Sequence, residues 1–256
     1  MKVYEMYFSP VGGTKKAIDI LTDGIMDENV QVEEIDLTDS EKDFNTVELE
    51  KEDIVMIAVP SYGGRVPQTA AQRFSKVKGN HARAVLVCVY GNRAYEDTLA
   101  ELLDLAKEAG FCVIGAVAAL AEHSIVHEYG VGRPDTQDKE QILRFSEEIK
   151  EKLKSGDCKE PQIPGNRPYK VWGGSNVVPM PSKQCSKCGL CAIKCPVQAI
   201  DRKDPQKVDT EKCISCMRCI AVCPQKAREI SPVVLEKLSL ALKKVCSVRK
   251  ENELYL

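Results

Sequence analysis

Two stretches, QCSKCGLCAIKCP at 184–196 and KCISCMRCIAVCP at 212–224, repeat one spacing, C-x2-C-x2-C-x3-C-P. They hold eight of the chain's twelve cysteines: Cys185, Cys188, Cys191 and Cys195 before Pro196, and Cys213, Cys216, Cys219 and Cys223 before Pro224. No other feature limits the fold as much. A cubane of iron and sulfide takes four thiolates at the corners of a tetrahedron, and three cysteines on one tight loop supply only three of them. Zinc is the rival reading, but zinc sites commonly set two pairs of ligands across a longer gap. A disulfide framework suits a short secreted chain, whereas MKVYEMYFSP lacks the basic region and long apolar stretch of a secretion signal. The longest nearly apolar run, FCVIGAVAALA at 111–121, is shorter than the roughly 20 residues that cross a bilayer. A soluble, cytoplasmic, metal-binding protein with no membrane segment is expected. Cys88, Cys112, Cys158 and Cys246 have no ligand spacing and are expected to be structural.

Before residue 157 the texture is different. KVYEMYFS, VQVEEIDL, DIVMIAVP, RAVLVCVYG and FCVIGAVAAL are short, rich in Val and Ile, and predict five strands. The last three are apolar almost throughout, as strands covered on both faces are. TKKAIDILTDGIM, PQTAAQRFSKV, AYEDTLAELLDLAKEAG and DKEQILRFSEEIKEKLKSG carry apolar residues three and four apart and predict helices, with Gly110 and Gly156 closing two of them. Such βα alternation predicts a doubly wound α/β domain over 1–156, a five-stranded parallel sheet whose ligand lies at the carboxyl ends of the strands. Residues 157–176, rich in Pro and Gly, predict a linker, with Trp172 as the anchor that packs it down. A small cysteine-rich domain follows over 177–232, then a helix and tail over 233–256. Charge divides along the same line: residues 1–156 carry 18 basic and 28 acidic side chains, and residues 157–256 carry 18 and 10. Either the two surfaces are independent, or the halves attract each other or an acidic partner.

After the first strand comes SPVGGTKKA, at 9–17, where the chain breaks into a hydroxyl, a proline and two glycines and enters a helix. Free backbone N–H groups and the helix dipole make such a junction suited to an anion. It fits neither a Walker A loop nor the G-x-G-x-x-G fingerprint of dinucleotide binding.

The cysteine segment resembles the bacterial two-cluster ferredoxins over about residues 177–232, with all eight ligand positions and both prolines present. In that pattern the last cysteine of each run serves the other cluster. The resemblance implies a small α+β fold with two 4Fe-4S clusters, one on Cys185, Cys188, Cys191 and Cys223, the other on Cys213, Cys216, Cys219 and Cys195. The first 156 residues resemble the flavodoxins, whose strand order is 2-1-3-4-5 and which bind FMN through loops after the first, third and fourth strands. Their phosphate loop [ST]-x-T-G-x-T is matched by Ser9, Pro10, Val11, Gly12, Gly13 and Thr14, with Val11 in place of the middle threonine. The second loop is matched by Pro60, Ser61, Tyr62, Gly63 and Gly64, where Tyr62 offers a ring face, the Gly63–Gly64 peptide meets flavin N5, and Arg65 adds positive charge. In the third loop Tyr90, Gly91, Asn92, Arg93 and Tyr95 supply a second aromatic and backbone donors, and Asp97 either hydrogen-bonds nearby or starts the next helix.

The chain thus looks like a flavodoxin-ferredoxin fusion of anaerobic metabolism. Its expected role is a relay of electrons between two 4Fe-4S clusters and FMN, coupling one-electron and two-electron carriers. Its expected partners are redox proteins, ferredoxin-type donors or acceptors, with a homo-oligomer open. The alternative is a flavin-dependent oxidoreductase that reduces a small substrate with the clusters as a wire, for which Arg93, Tyr95 or His123 would donate the proton. His123 and His127, in AEHSIVHEYG, fall at the same end of the sheet. A redox-sensing nucleic-acid binder ranks far below, because the basic residues of the cysteine-rich half form no reading helix. No nucleic acid is expected as a partner.

Overall fold

In the computed structural model, residues 1–26, 30–173 and 177–256 are described. The predicted alternation runs β1 (Val3–Tyr7), α1 (Gly13–Ile25), β2 (Val32–Asp36), β3 (Ile54–Pro60), α2 (Gln68–Phe74), β4 (Arg83–Tyr90), α3 (Thr98–Glu108), β5 (Cys112–Leu120) and α4 (Thr136–Ser155). These five strands are parallel, in the order β2-β1-β3-β4-β5. The period of two along each strand feeds two cores. Val55, Ile57 and Val59 of β3, with Leu86 of β4, face Phe8, Phe74, Leu99 and Leu102. Ile54, Met56 and Ala58, with Val85 and Val87, face Ile18, Leu21, Ile142 and Ile149 on α1 and α4. An Asp135–Asp138 capping box opens α4, and Gly156, at φ +70, closes it.

The sheet has one strand more than the five expected. Past the cysteine-rich domain the chain forms α7 (Pro232–Cys246) and β8 (Glu253–Tyr255), and β8 pairs antiparallel with Ala116–Ala118 of β5. Its partner would otherwise be an edge with unpaired N–H and C=O groups. Three residues, Glu-Leu-Tyr, are too few to show a strand period in sequence. Among the described residues, no helix is long and apolar enough to cross a membrane.

The linker lies along α3 as a strap up to residue 173, and its last three residues, 174–176, lie outside the described residues. Asp97, wholly buried, accepts from Asn166 N (2.8 Å) and Lys170 N (2.7 Å), and Asp104 pairs with Arg167 (2.7 Å) and Tyr169. Trp172 is 42% exposed and rests over Gly63, so the anchoring expected of it falls to Asn166, Arg167, Tyr169 and Lys170. The cysteine-rich domain contains α5 (Leu190–Ile193), α6 (Arg218–Ala221) and a two-stranded sheet of β6 (Met180–Pro181) and β7 (Arg228–Glu229). Cys88 and Cys246 are buried in apolar packing.

Candidate functional site

The eight motif cysteines surround two hollows. Cys185, Cys188 and Cys191 line the first together with Cys223, in a space of about 320 Å³. The second, about 370 Å³, is lined by Cys213, Cys216 and Cys219 together with Cys195. Each hollow therefore joins three cysteines of one run to the last of the other. Left-handed backbone at Lys187 (φ +58) and Gly189 (φ +80), and at Ser215 (φ +54) and Met217 (φ +61), bends the two loops tightly around their hollows. Backbone N–H groups of Ala199 and Ala227 donate to the sulfurs of Cys195 (3.3 Å) and Cys223 (3.2 Å). Burial pushes the Cys216 and Cys219 thiols up to about 12, so their thiolate form calls for a positive centre in the hollow. Among the described residues, no three His, Cys, Asp or Glu side chains stand close enough to hold a single metal ion. A soft four-sulfur donor set spread around each hollow fits a metal-sulfide cluster.

A third hollow, about 410 Å³, opens at the carboxyl ends of β1, β3, β4 and β5. Ser9, Pro10, Val11, Gly13 and Thr14 line it with Pro60, Ser61, Tyr62, Tyr90 and Gly91. Here Ser9 Oγ accepts from Lys15 N (2.9 Å), and Gly12, at φ +90, turns the chain into α1 and offers no side chain to cap the N–H groups of Gly13 and Thr14. These groups give an anion a place to bind at the start of a 13-residue helix. Gly91 is needed for space, because a Cβ there would stand 2.7 Å from the His123 Cα.

The other predicted loop residues lie outside the lining and have partners elsewhere. Gly63 and Gly64 (φ +61 and +85) form a tight turn closed by Tyr62 N donating to Arg65 O at 3.0 Å. Arg65 pairs with Glu101 (2.7 Å) and stacks over Tyr169. Asn92 donates to Cys246 O (2.6 Å) and Val248 O (2.9 Å), Arg93 grips Glu96, and Tyr95 reaches Glu253 (2.8 Å) and Tyr255 (2.6 Å). Asp97 holds the strap. Asn92, Tyr95 and Asp97 thus fasten the C-terminal segment and the strap to the sheet.

His123 Nδ1 accepts from Ile125 N (3.2 Å) and Val126 N (3.1 Å). Burial, aided by the charges of His127 and Arg93, lowers its pKa from 6.5 to about 4. Because the unfolded chain binds this proton more tightly, stability is complete above pH 6.5 and declines as pH falls toward 4, by on the order of 3 kcal/mol. Urea unfolding followed by circular dichroism is expected to show a shallower decline over that window in His123→Gln. Equal slopes in the two proteins would refute the assignment.

The cysteine-rich domain docks on the third hollow. Arg218, beside Cys219, donates to Pro10 O (3.0 Å) and Ser9 O (3.5 Å) in the loop between β1 and α1. Arg73 bridges Leu37 O (2.6 Å) and Pro196 O (2.5 Å), and Arg202 pairs with Glu41 (2.8 Å). Burial, with the Cys216 thiol beside it, pushes the Tyr62 hydroxyl well above its ordinary value. Arg218, on the wall of the second cysteine hollow, thus meets the Ser9–Pro10 turn, whereas Cys188 of the first hollow is exposed. Nothing in the sequence marks Arg73 or Arg218 for this work, since each donates to carbonyls far away along the chain. The charge division does have a counterpart, because Arg167, Lys170, Arg202 and Arg249 of the basic half all pair with carboxylates of the acidic half.

Residues 170–228 match the 4Fe-4S dicluster domain family. A ferredoxin-like protein in the nif region of Sinorhizobium fredii is 38% identical over 50 residues, 17% of this chain and 78% of that protein. A ferredoxin of Pyrobaculum islandicum is 42% identical over 45 residues, 17% of this chain and 42% of its own length. A component of an ion-translocating oxidoreductase complex of Methanosarcina acetivorans is 43% identical over 47 residues, 18% of either chain. The chain thus spans less than half of the latter two. Over the first domain, a flavodoxin from the domain Archaea overlaps 60% of this chain and 99% of its own, at 18% identity and a TM-score of 0.41. Flavodoxin 1 from Bacillus cereus overlaps 58% and 97%, at 18% identity and a TM-score of 0.43. For the first domain the strand order itself, 2-1-3-4-5, is the defining observation. Through its C-terminal part the chain belongs to the 4Fe-4S dicluster ferredoxins, and it carries that part on a doubly wound domain with the strand order 2-1-3-4-5.

Proposed function

We propose that this protein relays electrons between two 4Fe-4S clusters and FMN within one chain, coupling one-electron to two-electron carriers. The docking of Arg218, between Cys216 and Cys219, on the Ser9–Pro10 turn is the observation that carries this reading. In it, Cys185, Cys188, Cys191 and Cys223 hold one cluster, and Cys213, Cys216, Cys219 and Cys195 the other. The Ser9–Thr14 turn binds the FMN phosphate, while Tyr62 and Tyr90 offer aromatic walls for the ring. When bound, each cluster exchanges one electron and FMN one or two. The protein's own part is to position these groups, to keep water from the second cluster site, and to leave the first open at Cys188 for redox proteins of the ferredoxin type. The units so assigned are 1–156 for FMN, 157–176 as the strap, 177–232 for the clusters and 233–256 as the closing helix and strand, in a cytoplasmic protein. Arg93 and Tyr95 face Glu96 and the Glu253–Tyr255 pair, which favours the relay over substrate reduction at the flavin.

Anaerobically purified protein is expected to hold about eight iron per chain, as two 4Fe-4S clusters require, with equimolar FMN. Zinc in place of iron would end this reading. Arg218→Ala is expected to retain both cofactors while flavin reduction that follows rapid cluster reduction slows severalfold in stopped-flow absorbance. An unchanged rate would show that the docked arrangement does not carry the electrons.

A further inference from the structure

Arg228 brings a positive charge to the interior beside the cysteine hollows. It is 3% exposed, in β7, where it lines the first hollow. Its Nη2 donates to Cys191 Sγ at 3.4 Å and to Pro205 O, its Nη1 donates to Pro179 O at 3.5 Å, and its buried Nε has no partner. Among the described residues, no carboxylate pairs with it.

A buried guanidinium with one unsatisfied N–H and no counter-ion is costly, so its retention calls for negative charge close by. Four thiolates around an iron-sulfide core supply that charge, and the core gains one further negative charge with each electron. Hydrogen bonds to the sulfurs and net charge are among the factors that set the potential of such a centre. We propose that Arg228 sets the reduction potential of the cluster held at Cys191 by stabilising the reduced state through charge and the contact to sulfur. This rests on the reading of the hollows as cluster sites. One electron from an external reductant enters the cluster, and no proton is taken up. The difference in contacts sets the two clusters apart, since Arg228 bonds directly to a sulfur that lines the first hollow and is not among the residues that line the second.

The test uses the full chain, anaerobically reconstituted, as wild type, Arg228→Gln and Arg228→Lys. Iron and sulfide are measured first, followed by dithionite titration at controlled potential with electron paramagnetic resonance of both clusters. In Arg228→Gln the ratio of reduced to oxidised first cluster at a fixed potential is expected to fall at least tenfold, a downward shift of about 59 mV for a one-electron couple. The second cluster shifts less. Arg228→Lys keeps the charge without the planar fork and is expected to shift the same cluster in the same direction, by less. Unshifted potentials in iron-replete variants would overturn the proposal, and if Arg228→Gln fails to hold iron, the Lys variant alone decides on the same criterion. Wild-type protein that takes up no iron would instead overturn the cluster reading itself.

Discussion

Cys223→Ala is expected to lose the cluster held by Cys185, Cys188 and Cys191, although Cys223 belongs to the other run. Iron should fall from about eight to about four per chain, the content of one 4Fe-4S cluster. The electron paramagnetic resonance spectrum that remains should coincide with that of Cys185→Ala and differ from those of Cys195→Ala and Cys213→Ala. The expectation rests on the lining of the two hollows, in which Cys195 and Cys223 have changed places relative to their own runs. A short helix precedes each exchanged sulfur. Leu190–Ile193 and Arg218–Ala221 each contain the third cysteine of a run and end two residues before the fourth, whose sulfur lies on the neighbouring hollow. A Cys223→Ala spectrum that matched Cys213→Ala would refute the crossed arrangement.

Asp138→Ala is expected to cost about 3–5 kcal/mol of stability, the usual penalty for breaking a buried ion pair by removing one partner. Asp138 is wholly buried and accepts from Arg133 (Nε at 2.8 Å), Asn252 (3.0 Å) and the backbone of Asp135 (3.0 Å). Without it, Arg133, 6% exposed and with Nη1 already unpartnered, becomes an unpaired charge in the interior. Asn252 is loosened too, and its Oδ1 accepts from Leu120 N (2.8 Å) next to the β5–β8 pairing. Urea unfolding at neutral pH measures the loss, and a change below about 1 kcal/mol would show the pair to be dispensable. Burial opposes ionisation of Asp138, yet the bonds from Arg133, Asp135 N and Asn252 outweigh it and hold the carboxyl below its ordinary 3.8. The stabilisation is therefore complete above that pH and is lost as pH falls through the lower, folded value. The acid unfolding curve of the variant should be correspondingly flatter below about pH 4.

Strands β1 to β5 were legible because each is a Val- and Ile-rich run whose alternate residues feed separate cores. The glycines after α3 and α4 marked those ends for a local reason, the left-handed backbone at Gly110 and Gly156. Ser9, Thr14, Tyr62 and Tyr90 are found on the third hollow because strand ends place them there whatever else the chain does. Asn92, Tyr95 and Asp97 sit on the same loop, but their partners come from residues 166–170 and 246–255. Contacts across such distances leave no periodicity or spacing to read. The same holds for α2, expected over 67–77, which ends at Phe74 where Phe74 stacks on Phe111, 37 residues on, at 5.8 Å between ring centroids.

The position of β8 changes what it means to divide this protein in two. Cutting after residue 156 separates the cysteine motifs from the parallel strands in sequence, but the second fragment leaves with a strand of the first fragment's sheet. Expressed alone, the first fragment would present the bare edge of β5 to any chain able to pair with it. Co-expressed, the fragments have a built-in means of finding each other, since Glu253–Tyr255 is an affinity tag for β5 written into the chain itself.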